Sequence, residues 1–152
     1  MNTKRYLILL LISMVPVVEL RGAVPVGVAW GLPFWRVFAV SVLGNIAVII
    51  PVIFFGERAL TWGSTLPKVG VIAEKILTRA RKKAAGITGA VLLGLYVFVA
   101  VPLPGTGAWT GSLIAAILGI SPRRAFFPIA LGVATAGIIM GIVSYGALSL
   151  IG

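Results

Sequence analysis

The 152-residue chain is 60% hydrophobic and only 11% charged, has a mean hydropathy of +1.15, and carries 13 Lys and Arg against three acids for a formal charge of +10. Soluble domains carry about a quarter charged residues, so this chain cannot dress a surface for water, and we expect an integral membrane protein covered by lipid. Cys, His and Asp are absent. Disulfides, zinc clusters, Ser-His-Asp triads and paired catalytic carboxylates therefore lack their residues, and no metal, cofactor or enzyme activity is expected.

Lys4 and Arg5 precede the first apolar block, residues 6–18. This resembles a secretory signal. No small-x-small cleavage motif precedes Glu19, however, and apolar character resumes at Ala23, so the block is read as membrane segment. Between the two apolar stretches stand Glu19, Leu20, Arg21 and Gly22. The second block, residues 37–55, is long enough to span about 30 Å of hydrocarbon and holds one strongly polar residue, Asn45.

Residues 56–88 form a basic linker. Thr65 and Pro67 read as a helix start, and Val69, Ile72, Ile76, Ala80 and Ala84 form one apolar stripe beside Lys75, Arg79, Lys82 and Lys83. That pattern predicts an amphipathic helix on anionic headgroups, with a solvated connector as the alternative. The third block, residues 89–120, breaks at Pro102, Leu103, Pro104, Gly105, Thr106 and Gly107; the fourth, residues 125–150, is again of spanning length.

The broken blocks predict re-entrant hairpins whose tips turn inside the membrane; kinked spanning helices are the alternative. An internal repeat favours hairpins. A shift of 88 positions lays Pro16 on Pro104, Gly31 on Gly119, Arg36 on Arg124, Phe38 on Phe126, Leu43 on Leu131 and Gly44 on Gly132. Each unit reads as a hairpin followed by one spanning helix, so each crosses the membrane once and the second starts on the opposite side. The expected fold is all-α: two inverted repeats, residues 6–55 and 89–150, joined by the linker. This is an architecture shared by many secondary transporters. A charge of +10 on a soluble domain would suggest nucleic acid. Here the basic residues segregate, with Arg58, the linker cations, Arg123 and Arg124 on one face and Lys4, Arg5 and Arg36 on the other. The richer face is expected to be cytoplasmic in a prokaryotic plasma or inner membrane, with both termini outside. No nucleic-acid partner is expected.

Glu19 and Arg21 are the residues most able to carry chemistry, because ionisable groups in a membrane face a cavity or a partner. In an extended tip, positions i and i+2 share a face; in a helix they do not. The pair reads either as a structural stitch or as a protonatable acid beside an anion-binding guanidinium. The second tip is uncharged. It offers the Thr106 and Thr110 hydroxyls, the Trp109 indole N–H and backbone amides exposed by glycine, all able to donate to a phosphate. Alternatively it is a tight turn packed on the first tip. Gly22, Pro25, Pro102, Pro104, Gly105 and Gly107 are the expected hinge and tip residues. Arg36, Arg123 and Arg124 begin spanning helices, where snorkelling to headgroups is sufficient reason for them. Gly137 and Gly141 suit close helix packing, within the chain or at a dimer seam.

The run Glu19-Leu20-Arg21-Gly22-Ala23-Val24-Pro25 and the tip from Pro102 through Gly111 resemble the small multidrug export family over essentially the whole chain. That family is a compact branch of the DedA superfamily, which also contains VTT-domain lipid scramblases. The resemblance implies two facing re-entrant loops, movement of lipids or other substrates, and protons as coupling ion. It also implies that Glu19 is the loop acid, with Arg123 or Arg124 as the arginine before the last helix. The second membrane acid and longer arginine motif of larger DedA proteins are not visible here. The leading expectation is a transporter or flippase for an anionic amphiphile such as a phospholipid or polyprenyl phosphate, assembled as a homodimer among membrane lipids. The alternatives are a proton-coupled exporter of small cationic drugs and a non-transporting scaffold.

Overall fold

The computed structural model describes residues 2–63, 65, 70, 71, 74, 75, 78 and 89–151. Among these the chain forms α1 (Asn2–Met14), α2 (Glu19–Ala29), α3 (Phe34–Gly63), α4 (Gly89–Ala100), α5 (Ala108–Ile117) and α6 (Pro122–Ile151), with no strand. The expected linker stripe on Val69, Ile72, Ile76, Ala80 and Ala84 lies outside the described residues. α3 continues to Gly63, well into the stretch read as linker.

α3 and α6 have 30 residues each and, among the described residues, contain the two stretches long and apolar enough to cross a membrane, Phe34–Gly56 and Pro122–Leu150. The other four helices have 10 to 13 residues. At about 1.5 Å per residue they reach only partway across about 30 Å of hydrocarbon. α1 and α2 are not one kinked helix. Arg5 near the start of α1 donates to the Trp30 carbonyl just beyond α2 at 3.3 Å and lies 5.9 Å from the centre of its ring, so the chain has doubled back.

The 88-residue offset recurs in the backbone. Two residues beyond α2 and α5 stand Gly31 (φ 68°) and Gly119 (φ 67°), left-handed positions that glycine adopts without a Cβ penalty. Leu32 N–H then bonds the Gly27 carbonyl and Gly31 N–H that of Val28, while Ile120 and Gly119 bond Ala115 and Ala116 in the same way. Both are Schellman closures, which satisfy carbonyls that a helix end leaves open. The next helices begin alike, with Arg36 and Val37 donating to Pro33, and Arg124 and Ala125 to Ser121.

Between helices in lipid there is little hydrophobic drive, so close packing at small residues does the work. α1 lies on α3 at Gly44, and α4 on α6 at Gly132, where a Cβ would stand 2.8 Å from the Val99 Cβ. α3 and α6 run antiparallel, Phe38 packing against Gly137 and Phe34 against Gly141. The Gly137 and Gly141 pair thus serves packing within the chain. The second arms cross over, α2 onto α6 and α5 onto α3. The core gathers Leu9, Leu20, Val24, Val37, Ile129 and Val133. Leu43, Phe54, Leu93, Phe127, Ile142 and Leu150 face outward, an apolar exterior suited to lipid.

The α1–α3 contact has a direct test. A Cβ at Gly44 would meet the Ser13 hydroxyl and stand 2.8 Å from the Leu10 carbonyl oxygen, a helix backbone atom that cannot move aside alone. Gly44→Ala is expected to cost about 1–3 kcal/mol, as overpacking does, and to lower the melting temperature in detergent. Gly94→Ala, with open space at its Cβ position, should not. Equal melting of both variants would contradict the close approach.

A candidate site where the two helical tips meet

The first tip is residues 15–18, and Glu19 to Gly22 belong to the first turn of α2 rather than to an extended loop. This corrects the expectation that Glu19 and Arg21 pair only in extended chain. Val17 (φ 73°) and Glu19 (φ 49°) are both left-handed, a strained conformation for a β-branched and an acidic residue costing on the order of 1–3 kcal/mol each. The turn at Glu19 swings its side chain round to the side of Arg21. Arg21 Nη1 donates to Glu19 Oε2 at 2.8 Å, and the two side chains are only 11% and 2% exposed.

Each charge also closes a helix end in the opposite hairpin. The α5 N-terminus has no side-chain cap of its own. Glu19 supplies one: Ala108 N–H donates to Oε2 at 3.1 Å and Trp109 N–H to Oε1 at 3.0 Å. An anion there also complements the positive end of the helix dipole. Arg21 does the converse. Its Nη2 donates to the Thr106 carbonyl at 2.8 Å, to Val99 at 3.0 Å and to Val101 at 3.3 Å, placing a cation at the C-terminus of α4. One ion pair therefore spans the break between α4 and α5 and satisfies both sides of it with charge-assisted bonds.

The approach is close because residue 107 is glycine; a Cβ there would collide with the Glu19 carboxylate. The tip folds on itself through Thr106, whose hydroxyl donates to the Val101 and Leu103 carbonyls at 2.7 and 2.9 Å, and Gly105 turns it at φ 83°. Trp109 Nε1 donates to the Met14 carbonyl at 3.2 Å, tying the second tip to the end of α1.

Of the residues read from sequence, Glu19, Arg21, Thr106 and Trp109 come together with Gly107. Most of the groups expected to donate to a phosphate are instead engaged within the protein: the amides of residues 108 and 109 with Glu19, the Thr106 hydroxyl and the Trp109 indole with carbonyls. Thr110 bonds neither charge. Pro102 and Pro104 shape the loop between α4 and α5. Gly22 and Pro25 sit within α2 rather than in a tip, Gly22 closely packed on Val18. Arg123 and Arg124 open α6, exposed to the surroundings, and do not join the pair. Sequence reasoning missed Gly107 as a contact position and the Val99 and Val101 carbonyls as partners. It also passed over Ser41 and Ser112 which, like Asn45, are fully buried with side-chain polar atoms lacking a hydrogen bond. Asn45 alone was conspicuous in sequence, an amide in an apolar span.

The profile of the family described as "Putative small multi-drug export protein" matches residues 19–139. The chain belongs to that family. The matched stretch opens on Glu19, directly after the first tip, and contains Arg21 and the whole second tip. It is a family of export proteins rather than of enzymes, and with the apolar exterior it makes this a membrane protein. No curated protein and no solved structure matches the chain.

Proposed function

We propose that this small multidrug export family member moves an amphiphilic substrate across the membrane, with Glu19 and Arg21 as a latch between two re-entrant hairpins. The observation that carries the reading is the two-sided capping: a single buried ion pair holds the broken second hairpin to the first. Protonating Glu19 removes the charge that retains Arg21 and weakens the cap on α5, so a proton opens the latch. Once released, Arg21 attracts the phosphate of an anionic amphiphile, and the freed amides of residues 108 and 109 donate to it. Ser41, Asn45 and Ser112 offer further polar atoms in the interior, costly to bury unpaired and useful to a polar group in passage. The antiparallel run of α3 and α6, with matching ends to α2 and α5, supports an inverted repeat. Two spanning helices make a thin wall around such a path, so the working unit is a homodimer, with the linker cytoplasmic.

A second reading, export of small cationic drugs, is favoured by the family's description. There Glu19 would exchange Arg21 for the substrate cation. The two readings separate in proteoliposomes offered either a fluorescent phosphatidylglycerol or a lipophilic cation. Export of the anionic lipid is expected, partly kept in Arg21→Lys and abolished in Arg21→Gln, because Lys retains the charge without the forked donor. Transport of the cation alone would establish the second reading. Transport of neither, with substitutions affecting melting only, would leave the protein a scaffold.

A further inference from the structure

Two apolar grooves diverge from Arg123. One, of about 570 Å³, runs between α4 and α6 past Leu92, Tyr96, Phe127 and Leu131, with Arg124 also on its wall. The other, of about 260 Å³, lies between α3 and α6 against Ile50, Phe54 and Phe126. Arg123 lines both. Neither guanidinium makes a hydrogen bond or ion pair among the described residues, and both residues are exposed.

The smaller groove has a counterpart at the other end of the α3–α6 seam. There Phe34, Ile138 and Ile142 take the places of Pro122, Ile50 and Phe54 at the 88-residue offset, around about 320 Å³. The position equivalent to Arg123 is Trp35. The same helix packing is thus built twice, once with a cation at its mouth and once without, so packing does not require the arginine.

We propose that Arg123 is the headgroup site of a bound anionic phospholipid whose two acyl chains lie in the two grooves, with Arg124 beside the phosphate. A guanidinium matches a phosphodiester in a planar, two-pronged way, and basic residues between membrane helices are the usual headgroup sites of anionic lipids. Two apolar clefts meeting at one cation match the branching of a diacyl lipid. Simple snorkelling of Arg123 to bulk headgroups predicts no such one-to-one binding. This site does not depend on transport through the tip latch, and its test measures binding alone.

The experiment is native mass spectrometry of the full chain in neutral detergent, with phosphatidylglycerol, phosphatidylcholine or inorganic phosphate added, and melting temperature measured beside each variant. The wild type should retain one phosphatidylglycerol per chain, about tenfold in preference to phosphatidylcholine, with inorganic phosphate unable to displace it. Arg123→Gln should abolish the preference without changing the melting temperature, since the side chain is exposed. Leu131→Trp, which fills the larger groove, should weaken both lipids. Trp35→Arg should add a second phosphatidylglycerol at the counterpart groove. Equal retention of the two lipids by the wild type, unchanged preference in Arg123→Gln, or displacement by inorganic phosphate would each overturn the proposal.

Discussion

Glu19→Gln is expected to cost about 3–5 kcal/mol of stability, the usual result of leaving one member of a buried ion pair alone. Geometry explains why glutamine cannot substitute. Glu19 accepts from three donors, the Ala108 and Trp109 amides and Arg21 Nη1. A neutral amide keeps one acceptor oxygen, turns an N–H₂ toward one of those donors, and leaves the guanidinium without a counter-charge. The Thr106, Val99 and Val101 carbonyls still receive Arg21, so the variant should fold with a lowered melting temperature rather than fail altogether. Glu19→Gln/Arg21→Gln should regain most of the loss, because no charge is then stranded. Transport separates latch from stitch. If protonation of Glu19 opens the tips, Glu19→Gln loses the pH dependence of transport, and the double variant stays defective although it is well folded. A double variant with full transport would reduce the pair to a structural stitch. A Glu19→Gln protein that keeps the wild-type pH profile would eliminate proton gating.

Gly107→Ala should nearly equal Glu19→Gln in its effect, although it changes no charge. The added methyl occupies the position of the Glu19 carboxylate. A long flexible side chain could ordinarily swing aside. This one is pinned by two helix amides and a guanidinium, so moving it breaks all three bonds and uncaps α5. The expected cost again approaches about 3 kcal/mol, read as a fall in melting temperature together with loss of transport. Backbone strain is not the cause, because Gly107 has φ −88°, which any residue adopts. The collision should therefore be relieved from the other side: Glu19→Asp draws the carboxylate back by one methylene and should partly rescue Gly107→Ala. Gly107→Ala behaving like the wild type, or the two substitutions adding their defects, would show that the tips are not in contact here.

The sequence by itself determined the kind of environment and the rhythm of the chain. Too few charges for water, two apolar stretches of spanning length and broken blocks between them are properties of composition and local pattern. Gly31 and Gly119, Gly44 and Gly132, and Arg36 and Arg124 marked matching helix ends and close crossings 88 residues apart, because such places demand particular residue types wherever they occur. Glu19 and Arg21 stood out because a charge in an apolar run is costly unless paired.

Tertiary structure alone decided what that pair does. Arg21 reaches carbonyls 78 to 85 residues away, and Glu19 caps a helix whose first amide is 89 residues distant. Those partners are backbone groups, chemically the same at every residue, so no side-chain pattern marks which of them a broken helix leaves open. The left-handed turn at Val17 and Glu19 was equally hidden, since neither residue type signals positive φ. For the same reason the Thr106 hydroxyl and Trp109 indole looked available for a ligand. Only once the two tips are brought together in space do nearby carbonyls take up their protons, and a set of apparent donors becomes the fastening between two hairpins.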